Sequence, residues 1–160
     1  MQKITPFLWF DNQAEEAVNF YISVFKASKI TKINYYTQAG ADVSGMPKQS
    51  VMTIAFQLND QDFIALNGGP HFSFSPAISF VINCKTQEEV DHYWEKLSEE
   101  GIIEQCGWLK DKYGISWQVV PTLLEELLSD SDPAKAQKVM QAMLQMKKLD
   151  IQALKHAYEQ

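Results

Sequence analysis

The chain has 160 residues, a net charge of −6, 46% hydrophobic and 12% aromatic content. These values fit one folded domain, or two small modules sharing a core, and exclude a disordered chain. The acidic balance, with no Lys/Arg cluster, argues against a nucleic-acid partner.

Met1 to Pro6 lacks the apolar core of a secretory signal, and no run of about 18 apolar residues exists to span a membrane. The expected place is the cytoplasm, with no membrane partner. Cys84 and Cys106 lack CxxC spacing and read as reduced thiols. His71, His92 and His156 show no spacing with the cysteines that would hold zinc.

Ile4 to Phe10 is an apolar run that suits a strand, with Pro6 near its start. Asp11 and Asn12 supply turn or N-cap chemistry. Ala14, Ala17, Val18, Tyr21, Ile22 and Phe25 recur at helical spacing, and Glu15 and Glu16 suit the positive end of the helix dipole. Lys29 to Thr37 alternates as a strand. Residues 38–49 contain Gly40, Gly45 and Pro47 and read as a mobile loop. Ser50 to Leu58 and Phe63 to Asn67 form a hairpin around residues 59–62, and Gly68-Gly69-Pro70 closes the first half.

Ala77 to Cys84 reads as a strand, and Thr86 caps a helix that Gly101 ends. Ile102 to Leu109 is extended. Asp111 to Gly114 then turns the chain into the strand ending at Pro121, with Gly114 free to take positive φ. There Ile115, Trp117 and Val119 alternate with Ser116, Gln118 and Val120, so the two sets face opposite sides of a sheet. Gln118 either reaches a cavity, water or ligand, or lies on the wet face, because a buried amide without a partner costs about 1–3 kcal/mol. After Pro121 the pattern is helical. Asp132-Pro133 and Asp150 mark two N-termini, and Val139, Met140, Met143, Leu144 and Met146 make a stripe that suits core packing or a second subunit.

The halves echo each other. Phe7 to Asn12 with Ala14 to Tyr21 repeats as Ile78 to Asn83 with Gln87 to Trp94. Each half reads β-α-β-β-(β), and two such halves can close around a shared cavity of the kind that holds small molecules. The expected fold is α+β: two βαβββ modules forming a curved mixed sheet around a cavity, with C-terminal helices. The boundaries are residues 1–70, 71–121 (a shortened second module) and 122–160, within one compact domain.

On this repeat, and on Thr5 to Phe10, Asn67 to Pro70, Ser79-Phe80, Cys106 to Trp108, Asp111 to Pro121 and Ala142 to Ile151, the chain resembles the vicinal oxygen chelate superfamily. It is most similar to the PhnB-like branch, whose members are often labelled demethylubiquinone methyltransferases. The resemblance implies paired βαβββ modules and a homodimer. Metal-using members carry ligands at one point on each of four strands. The matching points are Pro6, near Ala65, near Ala77, and Gln118, of which three cannot ligate a cation. No metal and no cofactor are therefore expected.

Gln118, Asn67, Ser79, Trp108, Trp117 and Leu8 are the candidate ligand-cavity residues, with alternatives at most of them. Asn67 also reads as a turn residue, Ser79 as a filler of a tight spot, and Trp108 and Trp117 as core. His71 and Cys106 have no visible partner in sequence that would make them reactive. Gly68-Gly69-Pro70 is followed by a strand-like pattern, so it reads as a turn and not as a methyl-donor loop. Three functions remain open. The first is metal-free binding of a small, partly apolar molecule. The second is a lyase, isomerase or dioxygenase of the glyoxalase type. The third is an interaction module that uses the Met-rich helices.

Overall fold

The computed structural model describes residues 2–160. It divides into two compact units that meet in sequence at Phe74 and Ser75. The first holds β1 (Phe7–Phe10), α1 (Ala14–Val24), β2 (Ser28–Tyr35), α2 (Gln38–Ser44), β3 (Val51–Leu58) and β4 (Gln61–Asn67). Its sheet runs β1-β4-β3-β2, with β1 parallel to β4 and the other pairs antiparallel.

The second unit holds β5 (Ser79–Cys84), α3 (Gln87–Ser98), β6 (Ile102–Ile103), β7 (Trp108–Lys110) and β8 (Ser116–Pro121). Its sheet runs β5-β8-β7-β6, again with one parallel pair at the β5 edge. Adding four to each strand number of the first sheet gives the second. The repeat read from the sequence is therefore a repeat of topology. The second unit continues with α4 (Thr122–Leu128), α5 (Pro133–Leu144) and α6 (Ile151–Glu159). The chain is α+β, with two similar modules and terminal helices.

Local chemistry explains the differences from the sequence reading. β1 starts at Phe7 because Pro6 has no N–H to place in the ladder, although its carbonyl still accepts from Ile64 N at 3.0 Å. The expected loop over residues 38–49 gives way to α2 at Gln38–Ser44. Thr37 caps that helix by accepting from Gly40 N, and Gly45 closes it at φ 75°. The β3–β4 turn needs only Asn59 and Asp60, both at positive φ, so β4 gains Gln61 and Asp62. Ile102 to Leu109 does not stay extended, because Cys106 and Gly107 both take positive φ and split it into β6 and β7. Other signals hold as read: the side chains of Thr86, Asp132 and Asp150 cap α3, α5 and α6, and Gly114 sits at φ 93°.

Each sheet buries one face under its helix. In the first unit Phe10, Ile54, Phe56 and Ala65 are buried with Ala17, Val18 and Tyr21 of α1. In the second, Leu109, Trp117 and Val119 are buried with Val90, Trp94 and Leu97 of α3. The terminal helices form their own cluster of Leu124, Leu127, Val139, Leu149 and Leu154. The methionine stripe is divided: Met143 and Met146 pack on this cluster, while Met140 and Leu144 are exposed. Two backbone bonds hold the cluster to the sheet, from Cys106 N to Met146 O and from Gly107 N to Lys147 O, both 2.8 Å. Gln87 adds a clamp, donating to Leu149 O and accepting from Ile151 N.

Candidate functional site

The face of each sheet turned away from its helix is where the polar and half-exposed strand residues collect. In the second unit the strand registers set these residues in rows. Ser79 lies opposite Ser116, which lies opposite Lys110. In the next row Val81 lies opposite Gln118, which lies opposite Trp108. Alternation puts both rows on the same side of the sheet. Gln118 Nε2 donates to Ser79 Oγ at 2.9 Å, which ties the rows together. Ser116 is 1% exposed, and its Oγ has no hydrogen-bond partner among the described residues. Lys110 is half-buried and forms no ion pair among the described residues.

The open face of the first unit is apolar at its β1 edge and polar further across, where Gln57 donates to Asp62 and Asn34 to Thr53. Phe7 and Trp9 of β1 lie beside Ile64 and Leu66 of β4. Phe7 is 56% exposed. Trp9 is fixed by its Nε1, which donates to Gly69 O at 2.9 Å, and by edge contacts with His71 and Phe72. The indole lies against Gly68, where any Cβ would meet ring atoms at 2.3–2.8 Å. That close approach explains the glycine, and the Gly68-Gly69-Pro70 stretch is followed by a turn and not by a helix. Neither sheet contains the strand, glycine loop and helix of a dinucleotide-type donor site: the strand-to-helix turn at Asp11-Asn12-Gln13 carries no glycine.

The candidates read from the sequence separate into two groups. Gln118, Ser79 and Trp108 share the open face of the second unit. Asn67, Trp117 and Leu8 lie on the helix-covered faces. Asn67 is 4% exposed and spends its amide inside the first unit. Its Oδ1 accepts from Ala14 N at 2.8 Å, and its Nδ2 donates to Val51 O at 3.2 Å. Its backbone carbonyl accepts from the Tyr36 hydroxyl. Asn67 thus caps α1, whose N-cap residue Gln13 makes no side-chain cap bond. The Nε1 of Trp117 donates to Asp111 Oδ2 at 2.8 Å, while Asp111 Oδ1 accepts from Tyr113 N and Ile115 N. The buried Asp111 carboxylate thereby sets the turn that launches β8. Leu8 is 8% exposed beneath α1.

The register also moves the points expected for a metal. Ala65 is fully buried on the helix side, so the open-face neighbours in β4 are Ile64 and Leu66. The open-face donors on β5 and β8 are the neutral oxygens of Ser79, Ser116 and Gln118, and β1 offers Phe7 and Trp9. No group of three or more His, Cys, Asp or Glu side chains gathers among the described residues. Transition-metal sites are built on imidazole, thiolate or carboxylate, and calcium and magnesium sites on carboxylates with carbonyls and water, so two hydroxyls and one amide without a carboxylate do not fit a divalent ion.

Two site residues escaped the sequence reading. Ser116 was accessible in principle, since alternation puts it on the Gln118 face. Lys110 required the β7–β8 register, which the sequence does not print. The cysteines have no site role in this arrangement. Both are free, and burial, with the Glu89 carboxylate, pushes the Cys84 thiol up to about 12.

Comparison with known proteins follows the same lines. Residues 2–120 match the family model described as 3-demethylubiquinone-9 3-methyltransferase. The PhnB protein of Bacillus cereus is 38% identical, over 76% of this chain and 100% of that one, with a TM-score of 0.67. Protein PA1353 of Pseudomonas aeruginosa shares the fold at 18% identity, 76% and 98% coverage and a TM-score of 0.60. So does the fosfomycin resistance protein FosX of Listeria monocytogenes, at 13% identity, 81% and 98% coverage and a TM-score of 0.57. No curated protein matches the chain. The chain belongs to the PhnB-like family of the vicinal oxygen chelate superfamily, whose family model carries the methyltransferase description.

Proposed function

We propose that this protein binds a small, partly apolar molecule without a metal, and that it works as a cytoplasmic homodimer. One observation carries the reading: the open sheet face beside Trp108 offers neutral oxygens and an amide, a set made for hydrogen bonding and not for holding a cation. Trp108, beside Gln118 on the same face, supplies aromatic surface for the apolar part. In this reading Gln118, Ser79 and Trp108 meet the ligand. Asn67, Trp117 and Leu8 support the walls from behind. The modules are residues 1–70 and 71–121, with 122–160 completing the second. No helix among the described residues is long and apolar enough to cross a membrane, and the reading has no membrane or nucleic-acid partner.

Two measurements test it. A metabolite library is screened by thermal shift. A bound ligand at a hundredfold excess over Kd stabilises by about 2.7 kcal/mol, or about 5–10 °C in a protein of this size. Elemental analysis after loading with nickel, zinc, manganese or iron should find no stoichiometric metal. A tightly held ion would overturn the reading in favour of a glyoxalase-type lyase, isomerase or dioxygenase. Equilibrium sedimentation tests the dimer.

The family model's description favours a second reading, methyl transfer to a demethylubiquinone. No glycine lies between β1 and α1, and Gly68-Gly69-Pro70 after β4 leads into a turn and not a helix, so neither place offers the glycine loop and helix on which the usual fold for S-adenosylmethionine holds that donor. Saturable binding of S-adenosylmethionine would restore it.

A further inference from the structure

Most buried hydroxyls are partnered, because an unmade hydrogen bond in a dry place is costly. Ser116 breaks that rule, at 1% exposure with no partner for Oγ among the described residues. Its neighbours in the row are a hydroxyl and an ammonium. Ser79 Oγ accepts from Gln118, which leaves its own proton available to donate. Lys110, across the ladder from Ser116, has no carboxylate on it among the described residues. The row thus presents two hydroxyls and one cation on one side of β5-β8-β7, with no carboxylate on them among the described residues. The adjoining row sets Trp108 and Val81 on either side of Gln118.

Two hydroxyls able to donate, one unpaired positive charge and an adjacent apolar wall are complementary to an anionic oxygen group attached to an apolar body. We propose that Ser79, Ser116 and Lys110 receive the oxyanion, carboxylate or phosphonate, of the ligand, with its apolar part against Trp108. This rests on the ligand-binding reading above and names the chemical class of the ligand. The Lys110 ammonium supplies charge, the Ser116 hydroxyl finds the partner it lacks, and Gln118 holds Ser79 in place by its amide.

The test uses three probes of similar size: phenylphosphonate, benzoate and the neutral benzyl alcohol. Binding is read by calorimetry on the full-length protein and by Trp fluorescence. At least one anion should bind saturably, and the comparison between the two anions distinguishes phosphonate from carboxylate. Benzyl alcohol should bind at least about tenfold more weakly. Ser116→Ala should weaken the anion by about tenfold or more, as expected for a hydrogen bond to a charged group, while melting at or above the wild-type temperature. Lys110→Met should weaken it similarly and flatten its salt dependence, and Lys110→Arg should restore most of the affinity. Neutral and anionic probes binding alike, or both variants staying within twofold of wild type, would overturn the inference. So would failure of both anions to bind. If the metabolite screen still yields neutral ligands, the ligand-binding reading survives that failure; if it yields none, both fall.

Discussion

Asp111→Asn is a near-isosteric change that should cost the second unit a large share of its stability. The wild-type carboxylate points one oxygen at two backbone N–H groups, of Tyr113 at 2.8 Å and Ile115 at 3.1 Å, and the other at Trp117 Nε1 at 2.8 Å. An amide has only one acceptor oxygen. If that oxygen keeps the backbone pair, its NH2 faces the indole N–H, donor against donor. If it flips, the NH2 faces two backbone donors. Asp111 is 3% exposed and Trp117 also 3%, so water does not readily replace the lost partner. A hydrogen bond to a charged group contributes about 1.5–3 kcal/mol, and a buried donor left unsatisfied costs about 1–3 kcal/mol. The better flip loses the Trp117 bond, so we expect a loss of about 3 kcal/mol by denaturant titration. Trp117→Phe removes the indole N–H that makes the amide unwelcome. In that background Asp111→Asn should cost less by about 1.5 kcal/mol or more, which a double-mutant cycle measures. An Asp111→Asn cost below about 0.5 kcal/mol, or strict additivity with Trp117→Phe, would refute the role assigned to this carboxylate.

Asn67→Ala removes the cap on α1 and a donor to Val51 O, and should destabilise the first unit by about 2–3 kcal/mol in thermal unfolding, with α1 amides losing hydrogen-exchange protection first. Gly107→Ala puts a Cβ 2.8 Å from Val119 O and 3.1 Å from Leu149 Cδ1, at φ 83°. It should loosen α6 from the sheet, seen as faster exchange of α6 amides and a lower melting temperature. Cys84, with its thiol raised to about 12, should not react with a disulfide reagent at pH 8 until the protein unfolds, whereas half-buried Cys106 should react in the native state. The same shift fixes a pH dependence. A raised folded-state pKa leaves its stability contribution whole below the unfolded value near 9 and removes it as pH climbs towards 12, so Cys84→Ala should flatten the alkaline limb of a stability–pH curve.

What the sequence displayed was periodic or local. The helices show their 3.6-residue stripes, and three caps sit next to the helices they serve, at Thr86, Asp132 and Asp150. Gly114 announces its turn. The repeat is visible because both halves place a strand, acids and an aromatic pair in the same order. Failures occurred where a side chain's partner lies far along the chain. Asn67 caps a helix 53 residues away, which no local pattern encodes. Its position before Gly68 suggested a turn or a ligand contact instead. Trp117 reads from the sequence as core or as cavity wall, and Leu8 as a cavity residue, because alternation gives two sides of a strand without saying which is covered; both lie on the helix side. The point placed near Ala65 carries the same one-residue latitude, and Ala65 itself faces the helix. α2 does not show in the sequence because Gly40, Gly45 and Pro47 give residues 38–49 the look of a loop, although Thr37 caps a helix there.

The two units solve one structural problem differently. The last residue of β1, Phe10, pairs with the last residue of β4, Asn67, while the last residue of β5, Cys84, pairs with the last residue of β8, Pro121. All four are buried. The equivalent positions therefore carry an amide in one unit and a proline in the other. In the second unit Thr86 caps α3 locally, so nothing is asked of the residue at the end of β8, and a proline can end the strand there. In the first unit Gln13 makes no cap bond, and the end of β4 must supply one. Asn67 is thereby committed to the fold. The amide at the end of β4 is spent inside the first unit, whereas the second unit keeps its long amide, Gln118, on the sheet face away from α3, bonded to Ser79.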